Sequence, residues 1–199
     1  MAQATTATRG RPRSEEARAR ILKAALELVQ EGGLAAATMT AIAARASVSK
    51  VTVYRWWSSP GAIVLEGLLD QAHETIEAPP GASARDAMFH QVEALVELYR
   101  EDETGAIIRA ITSRSESDPR LRDAFRKYWL LPRREVAAEI LRNGMTTGEV
   151  RPDINVEASL DVLYAPIYFR LLYEHLPLDD DLAAQIMDLY SGFVATEGH

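Results

Sequence analysis

Apolar residues recur at helical spacing along most of the chain. Between residues 14 and 32, one stripe at the 3.6-residue period of an α-helix is formed by Ile21, Leu22, Ala25, Leu28 and Val29. Similar patterns predict helices over residues 39–46, 49–56, 61–76, 84–100, 104–115, 118–143, 156–175 and 180–196. No run alternates apolar and polar residues between turn dipeptides, as a strand would. The chain is therefore predicted to be all-α, with about nine helices.

Capping residues and helix breakers set the expected limits of these helices. Residues that commonly cap the start of a helix occur at Ser14, Thr38, Ser49, Ser59 and Asp118, and the last two are followed by Pro60 and Pro119. Gly32-Gly33 is expected to end the first helix. Pro132 is expected to break or kink the segment after Asp118, and Gly144 and Gly148 to bound a loop. Pro166 lies inside a predicted helix, where a kink beside a pocket and a packing adjustment are both open.

The strongest linker signal is APPGAS at residues 78–83. It predicts an N-terminal domain over residues 14–77 and a C-terminal helical domain over residues 84–199. Residues 1–13 are polar and are expected to form a flexible arm.

Composition narrows the class of protein. The chain has 199 residues, of which 47% are hydrophobic and 26% charged, as in ordinary globular proteins. It has no cysteine, which excludes disulfides and thiolate metal sites and suits a reducing cytoplasm. No signal peptide or membrane-spanning run is recognisable, so we expect a cytoplasmic protein without a membrane partner.

The net charge of −7 hides a strong asymmetry. Residues 1–60 contain nine lysines and arginines against four glutamates, a net charge of +5. The remaining 13 basic and 25 acidic residues leave −12 for residues 61–199. A basic head on an acidic body concentrates affinity for phosphate at one end of the molecule.

Residues 38–57, TMTAIAARASVSKVTVYRWW, follow the pattern of a helix-turn-helix. An Ala-rich helix, a polar turn and a second short helix come in succession. In the second helix Val53 and Trp57 are expected to pack inward, whereas donors to phosphates and base edges face outward: Lys50, Thr52, Tyr54 and Arg55. Trp56 could equally pack in the core or donate its indole N–H to a phosphate.

The N-terminal RGRPR segment offers a second DNA contact. Arginines beside an extended proline can enter a narrow A·T-rich minor groove. We therefore predict minor-groove contacts from Arg9, Arg11 and Arg13, with a merely solvated tail as the alternative.

The first 75 residues resemble the N-terminal domain of TetR-type (tetracycline repressor-like) bacterial transcription factors. The resemblance rests on the RGRPR arm, on ILKAALELVQEGGLAAATM, on IAARASVSKVTVYRWW and on the helix starting at SSPGAIVLEGLL. The chain departs from many members at Ser47, where a glycine is common, and at Pro60-Gly61, where Lys-Glu is common. The usual phosphate contact of that lysine is therefore missing.

The resemblance implies a ligand-responsive transcriptional regulator, usually a repressor, that dimerises through its last two helices. Its recognition helices would enter successive major grooves of a near-palindromic operator, and an unidentified small molecule would release it. Besides the three arginines of the arm, the residues predicted to contact DNA are Thr38, Thr40, Ser49, Lys50, Val51, Thr52, Tyr54, Arg55 and Trp56.

Four aromatic residues of the C-terminal domain are candidate walls of a ligand pocket: Tyr99, Trp129, Tyr164 and Tyr168. Aromatic residues at helical spacing are more often plain core. The acidic run at residues 179–181 is expected to cap a helix, and His90 with Glu93 lacks a third metal ligand. Arg109, Arg114 and Arg170 could pair with an acidic ligand, although we favour neighbouring carboxylates. We expect no cofactor and no metal.

Two other functional classes fit the sequence less well. An all-α enzyme would need a nucleophile with its base, a metal cluster or a phosphate-binding loop, and the sequence has no GxSxG, HExxH or Walker motif. An architectural DNA binder without a ligand would not need the large acidic helical body. A ligand-responsive regulator accounts for both halves of the chain.

Overall fold

The computed structural model describes residues 11–76, 80–100 and 102–194. These residues form ten α-helices and one π-helical turn: α1 Arg11–Gly32, α2 Met39–Arg45, α3 Lys50–Trp56, α4 Pro60–Ile76, α5 Ala84–Arg100, α6 Asp102–Ser115, α7 Pro119–Phe125, the π turn Arg126–Leu130, α8 Leu131–Thr147, α9 Val156–Tyr173 and α10 Leu182–Val194. The stretch from α7 to α8 is unbroken, so the described ranges hold nine separate helical segments and no β-strand. The all-α prediction is confirmed.

The chain divides into two compact units, Met1–Gly67 and Leu68–His199. The division lies inside α4, whereas the sequence suggested a boundary at residues 78–83. In the first unit, α1 packs on α2 and α2 on α3. The core side chains come from all four helices and include Ile21, Ala25, Ile42, Val53 and Ile63. The apolar stripe predicted for α1 is buried as expected.

The start of α1 differs from the prediction. The helix begins at Arg11, three residues before the expected cap at Ser14, so residues 11–13, which were expected to belong to the flexible arm, lie in its first turn. Pro12 fits this first turn because the first N–H groups of a helix have no acceptor within it. Residues 1–10, including Arg9, lie outside the described part of the chain, as do the side chains of residues 11–14.

The second unit is built around α5, which packs against α6, α8, α9 and α10. Its core includes Met88, Ile108, Trp129, Leu160 and Ile167. The bounds of α5 agree with those predicted, and the cap predicted for α7 is present. The carboxylate of Asp118 accepts the backbone N–H groups of Arg120 and Leu121 at 3.0 and 3.2 Å.

Pro132 does not break its helix. A π turn precedes it, in which the Leu131 N–H donates to the carbonyl of Arg126, five residues back. The proline itself then lies in the first turn of α8, where its missing N–H is tolerated. The helix also continues beyond the expected loop boundary at Gly144 and ends before Gly148, which has a left-handed φ of 84°. A Cβ at Gly144 would lie 2.6 Å from Cγ2 of Val150, so this close contact explains the glycine.

Candidate nucleic-acid interface

Local hydrogen bonds fix the turn between α2 and α3. The Thr38 hydroxyl accepts the Ala41 N–H at 3.1 Å and caps α2. The Ser49 hydroxyl accepts the Thr52 N–H at 3.1 Å and caps α3. Between them Ser47 has a left-handed φ of 54°, which reverses the chain within a few residues. The helix-turn-helix predicted over residues 38–57 is therefore present, with the expected caps.

One face of α3 is exposed and the other is buried. Val53 is fully buried, whereas Tyr54 is 60% exposed and Val51 77% exposed. Lys50 and Arg55 are also exposed, and within the described parts of the chain neither forms an ion pair. The structure thus presents two free cations, a phenol and an apolar side chain on one short helix.

The remaining predicted contact residues differ in exposure. Thr38, Thr40 and Ser49 are exposed, and Thr52 is half-buried with its hydroxyl 2.8 Å from that of Ser49. Trp56 is half-buried and lies edge-on to the Trp57 ring, with centroids 5.5 Å apart. The side chains of the three arm arginines are not described, so their role stays a prediction.

A polar network anchors the end of α3. The indole N–H of buried Trp57 donates to the carboxylate of Glu66 on α4 at 2.6 Å. The other oxygen of this carboxylate pairs with Arg18 of α1 at 2.7 Å. One carboxylate therefore ties α3 to two bracing helices. Arg45 of α2 is also bound internally, because its guanidinium contacts Glu31 at 2.6 Å and Glu27 at 3.4 Å.

Three of the four aromatic residues predicted for the second unit meet in its interior. The Trp129 indole N–H donates to the Tyr99 hydroxyl at 2.8 Å, and Tyr99 donates to the Tyr168 hydroxyl at 2.9 Å. Tyr164 lies one turn before Tyr168 on α9, but its hydroxyl donates to Gln91 at 3.1 Å. Burial raises the pKa of Tyr99, Tyr164 and Tyr168, so all three phenols stay neutral near neutral pH.

Sequence reasoning missed Arg133. This arginine of α8 is only 6% exposed, and its guanidinium lies 3.5 Å from the centroid of the Trp129 ring. Its Nη1 and Nη2 atoms are buried without a hydrogen-bond partner in the described part of the chain. The spacing of four residues from Trp129 was an available signal, since residues at i and i+4 share a helix face. By contrast, Arg109 and Arg170 pair with Glu174 and Asp179 at 3.5 and 3.6 Å, as expected.

A separate cleft of about 320 Å³ lies between α5, α8 and α10. Its walls include Met88, Leu141, Met187, Tyr190 and Val194. None of the four predicted pocket residues lines it. Burial raises the pKa of Tyr190 to about 12.

Comparison with known proteins identifies the family from both units. The family model described as bacterial regulatory proteins, tetR family, matches residues 21–66, and that of the tetracyclin repressor-like C-terminal domain matches residues 78–190. The HTH-type transcriptional regulator YdeS of Bacillus subtilis (strain 168) is 33% identical over 94% of this chain and 95% of its own length. The chain belongs to the TetR family. It is therefore a helix-turn-helix transcriptional regulator and not an enzyme.

Solved structures of TetR-type regulators share this fold. The crystal structure of the TetR family transcription regulator SCO0332 is 32% identical, with a TM-score of 0.79 over 89% of this chain and 98% of that one. A crystal structure of the transcriptional regulator FadR from Bacillus subtilis in complex with stearoyl-CoA covers 86% of this chain and 96% of its own. At 19% identity and a TM-score of 0.61, that second likeness concerns the fold alone.

Neither a membrane-spanning helix nor a metal-binding cluster occurs within the described ranges. No helix there is both long and apolar enough to cross a bilayer. Nor does that part of the chain bring three His, Asp or Glu side chains together as metal ligands.

Proposed function

We propose that this TetR-type regulator is a cytoplasmic repressor that binds a near-palindromic operator as a homodimer and leaves it when a small molecule binds. The observation that carries the proposal is the exposed face of α3, where Lys50, Val51, Tyr54 and Arg55 project from a helix fixed by its cap and by Trp57. Because the helix is already ordered, its exposed donors can enter a major groove without the cost of folding the backbone on binding.

The proposed DNA contacts divide into three groups. Lys50, Tyr54 and Arg55 would bind phosphates and base edges, with Val51 against a thymine methyl. Thr38, Thr40, Ser49, Thr52 and Trp56 would contact the backbone around them. Arg9, Arg11 and Arg13 would enter the adjacent minor groove.

A second apolar stripe on α9 supports the homodimer. The inner stripe of this helix is buried in the core, whereas Val162, Phe169, Leu172 and Tyr173 are exposed on another face. Leu189 of α10 is 73% exposed as well. Apolar patches of this kind mark association surfaces, and a two-fold dimer would place two copies of α3 on successive major grooves about 34–36 Å apart.

The effector is proposed to bind in the second unit, beside the cluster of Tyr99, Trp129 and Tyr168. Aromatic walls with a few directed polar groups are typical of small-molecule sites. FadR, which shares the fold, is described in complex with stearoyl-CoA. A ligand that stabilises a dimer whose two DNA-binding units have a spacing that does not match the operator would release DNA.

The test is selection of bound fragments from genomic DNA, followed by affinity measurements on the selected duplex over a salt series. We expect Lys50→Ala to weaken binding about tenfold on all sequences and to reduce the salt slope by roughly one per half-site. Lys127→Ala removes the same charge from an exposed position in the second unit and should change neither quantity. No preference for the selected sequence over random duplex would contradict operator binding. Sequence-specific binding that no small molecule alters would instead favour an architectural role.

A further inference from the structure

Arg133 is a buried charge with no counter-ion among the residues that the structure describes. The groups around it are aromatic. Trp129 lies under the guanidinium, and the ionisable groups near enough to influence the pKa of Arg133 are the phenols of Tyr99, Tyr164 and Tyr168. No Asp or Glu of the described residues forms an ion pair with it, and both terminal nitrogens lack an acceptor. Leaving a buried guanidinium unpaired is energetically unfavourable, so the arrangement calls for an anion.

Arg134, the next residue of the helix, differs from Arg133 because its charge is paired within the protein. Its guanidinium binds Glu157 at 2.6 Å and Asp161 at 2.7 Å. Both carboxylates come from the first two turns of α9. Within the described ranges, Arg134 therefore has two acidic partners and its buried neighbour Arg133 has none.

Beside Arg133, one indole N–H and two hydroxyl groups form a chain of hydrogen bonds that runs in one direction. Trp129 donates to Tyr99, and Tyr99 donates to Tyr168. Because the Tyr168 oxygen accepts in this chain, its own hydrogen remains available for an acceptor. Trp129 belongs to the π turn that precedes α8, and such turns are frequent at functional sites. A cation, a phenolic donor and an aromatic surface thus come together.

We infer that Arg133 binds the carboxylate of an acidic small-molecule effector, with Tyr168 donating a further hydrogen bond to it. The two Nη atoms of an arginine match the two oxygens of a carboxylate. The surrounding tyrosines are neutral, so the cluster offers one positive charge, which suits a monoanion better than a phosphate dianion. This inference rests on the proposed function, because it names the chemistry of the effector.

The first experiment uses the full-length protein without DNA and matched pairs of probes. Benzoate is compared with benzamide, and octanoate with octanamide, at constant ionic strength. Each amide keeps the shape of its acid but lacks the charge. We expect at least one carboxylate to raise the melting temperature and to quench tryptophan fluorescence, since Trp129 lies under the arginine, and its amide to do neither. If no carboxylate acts more strongly than its amide, the inference is wrong. Phenyl phosphate binding more tightly than benzoate would overturn the monoanion assignment.

The second experiment uses variants. Arg133→Met keeps an unbranched side chain and removes the charge, so carboxylate binding should weaken about 10- to 100-fold while the unliganded protein melts no lower than the wild type. Tyr168→Phe should weaken the same binding severalfold. If Arg133→Met does not fold, the Tyr168→Phe comparison of carboxylate with amide decides. Unchanged carboxylate binding in the folded variant would show that Arg133 serves packing alone.

The two proposals can fail separately. A carboxylate that binds through Arg133 but leaves operator affinity unchanged would contradict release by that effector and leave the anion site standing. If instead an uncharged compound releases the operator and the protein binds no carboxylate, the proposed release by a small molecule stands and the anion site at Arg133 is contradicted.

Discussion

At the scale of single residues, Ser47 carries a backbone strain that a glycine would relieve. Its φ of 54° is in the left-handed region, which costs residues with a Cβ about 1–2 kcal/mol. Ser47→Gly removes this cost but adds chain entropy to the unfolded state. We expect a net gain of about 0.5–1 kcal/mol in the free energy of unfolding, measured by urea denaturation.

The control for this prediction is Ser58→Gly, in the loop before α4. Ser58 is exposed and is not among the residues with positive φ. Only the entropic effect applies there, so this variant should lose stability by about 0.5–1 kcal/mol. Equal losses in both variants would show that the turn stores no strain.

Residue identity alone predicted the surface of α3 but not the partners within the protein. Val53 and Trp57 lie one turn apart, and their burial leaves Lys50, Tyr54 and Arg55 outside, which the spacing could indicate. Arg133 was not predicted, because an arginine on a helix is normally exposed and its burial depends on how α5, α8 and α9 pack. The Glu66 partner of Trp57 also depends on tertiary structure, since it comes from the next helix.

At the scale of elements, local signals determined the helices and tertiary packing modified them. The caps at Thr38, Ser49 and Asp118 were predicted because a side chain two or three positions before a free N–H suffices. The π turn before Pro132 was not predicted, since the choice between a break and a widened turn depends on what the helix packs against. The continuation of α8 through Gly144 likewise depends on contact with Val150.

The exposed apolar side chains of α9 and of Leu189 on α10 lead to a prediction about the dimer. In a two-fold interface each substitution occurs twice, and burying one leucine contributes about 1.5–3 kcal/mol. Leu189→Glu should therefore raise the dissociation constant of the dimer by at least about 100-fold, measured by analytical ultracentrifugation. Leu131→Glu is the matched control, because Leu131 is also an exposed leucine of the second unit but lies on α8. Dissociation of both variants, or of neither, would remove α10 from the interface.

At the scale of the whole molecule, charge and function are divided in the same way. Residues 1–60, with a net charge of +5, include the helix-turn-helix, and residues 61–199, with a net charge of −12, include the helical second unit. Part of the positive charge is used internally, since Arg18 and Arg45 are paired with glutamates. In the described part of residues 1–60, the positive charges that can still bind DNA include those of Lys50 and Arg55. The arginines of the arm therefore supply a large share of the positive charge that is available to DNA.

The arm is therefore expected to contribute affinity that depends on the flanking sequence. Replacing Arg9, Arg11 and Arg13 by alanine should weaken operator binding most where the flanks are A·T-rich, because narrow minor grooves concentrate negative potential. The salt slope should fall by about 0.9 for each phosphate that the variant no longer neutralises, and both half-sites are affected together. Titrations of the dimer on operators with A·T and G·C flanks at several salt concentrations measure both effects. Lys50→Ala, in contrast, should weaken the two operators equally. If the arginine variant also weakens both equally, the arm binds only the backbone, and the flanking groove carries no sequence information for this regulator.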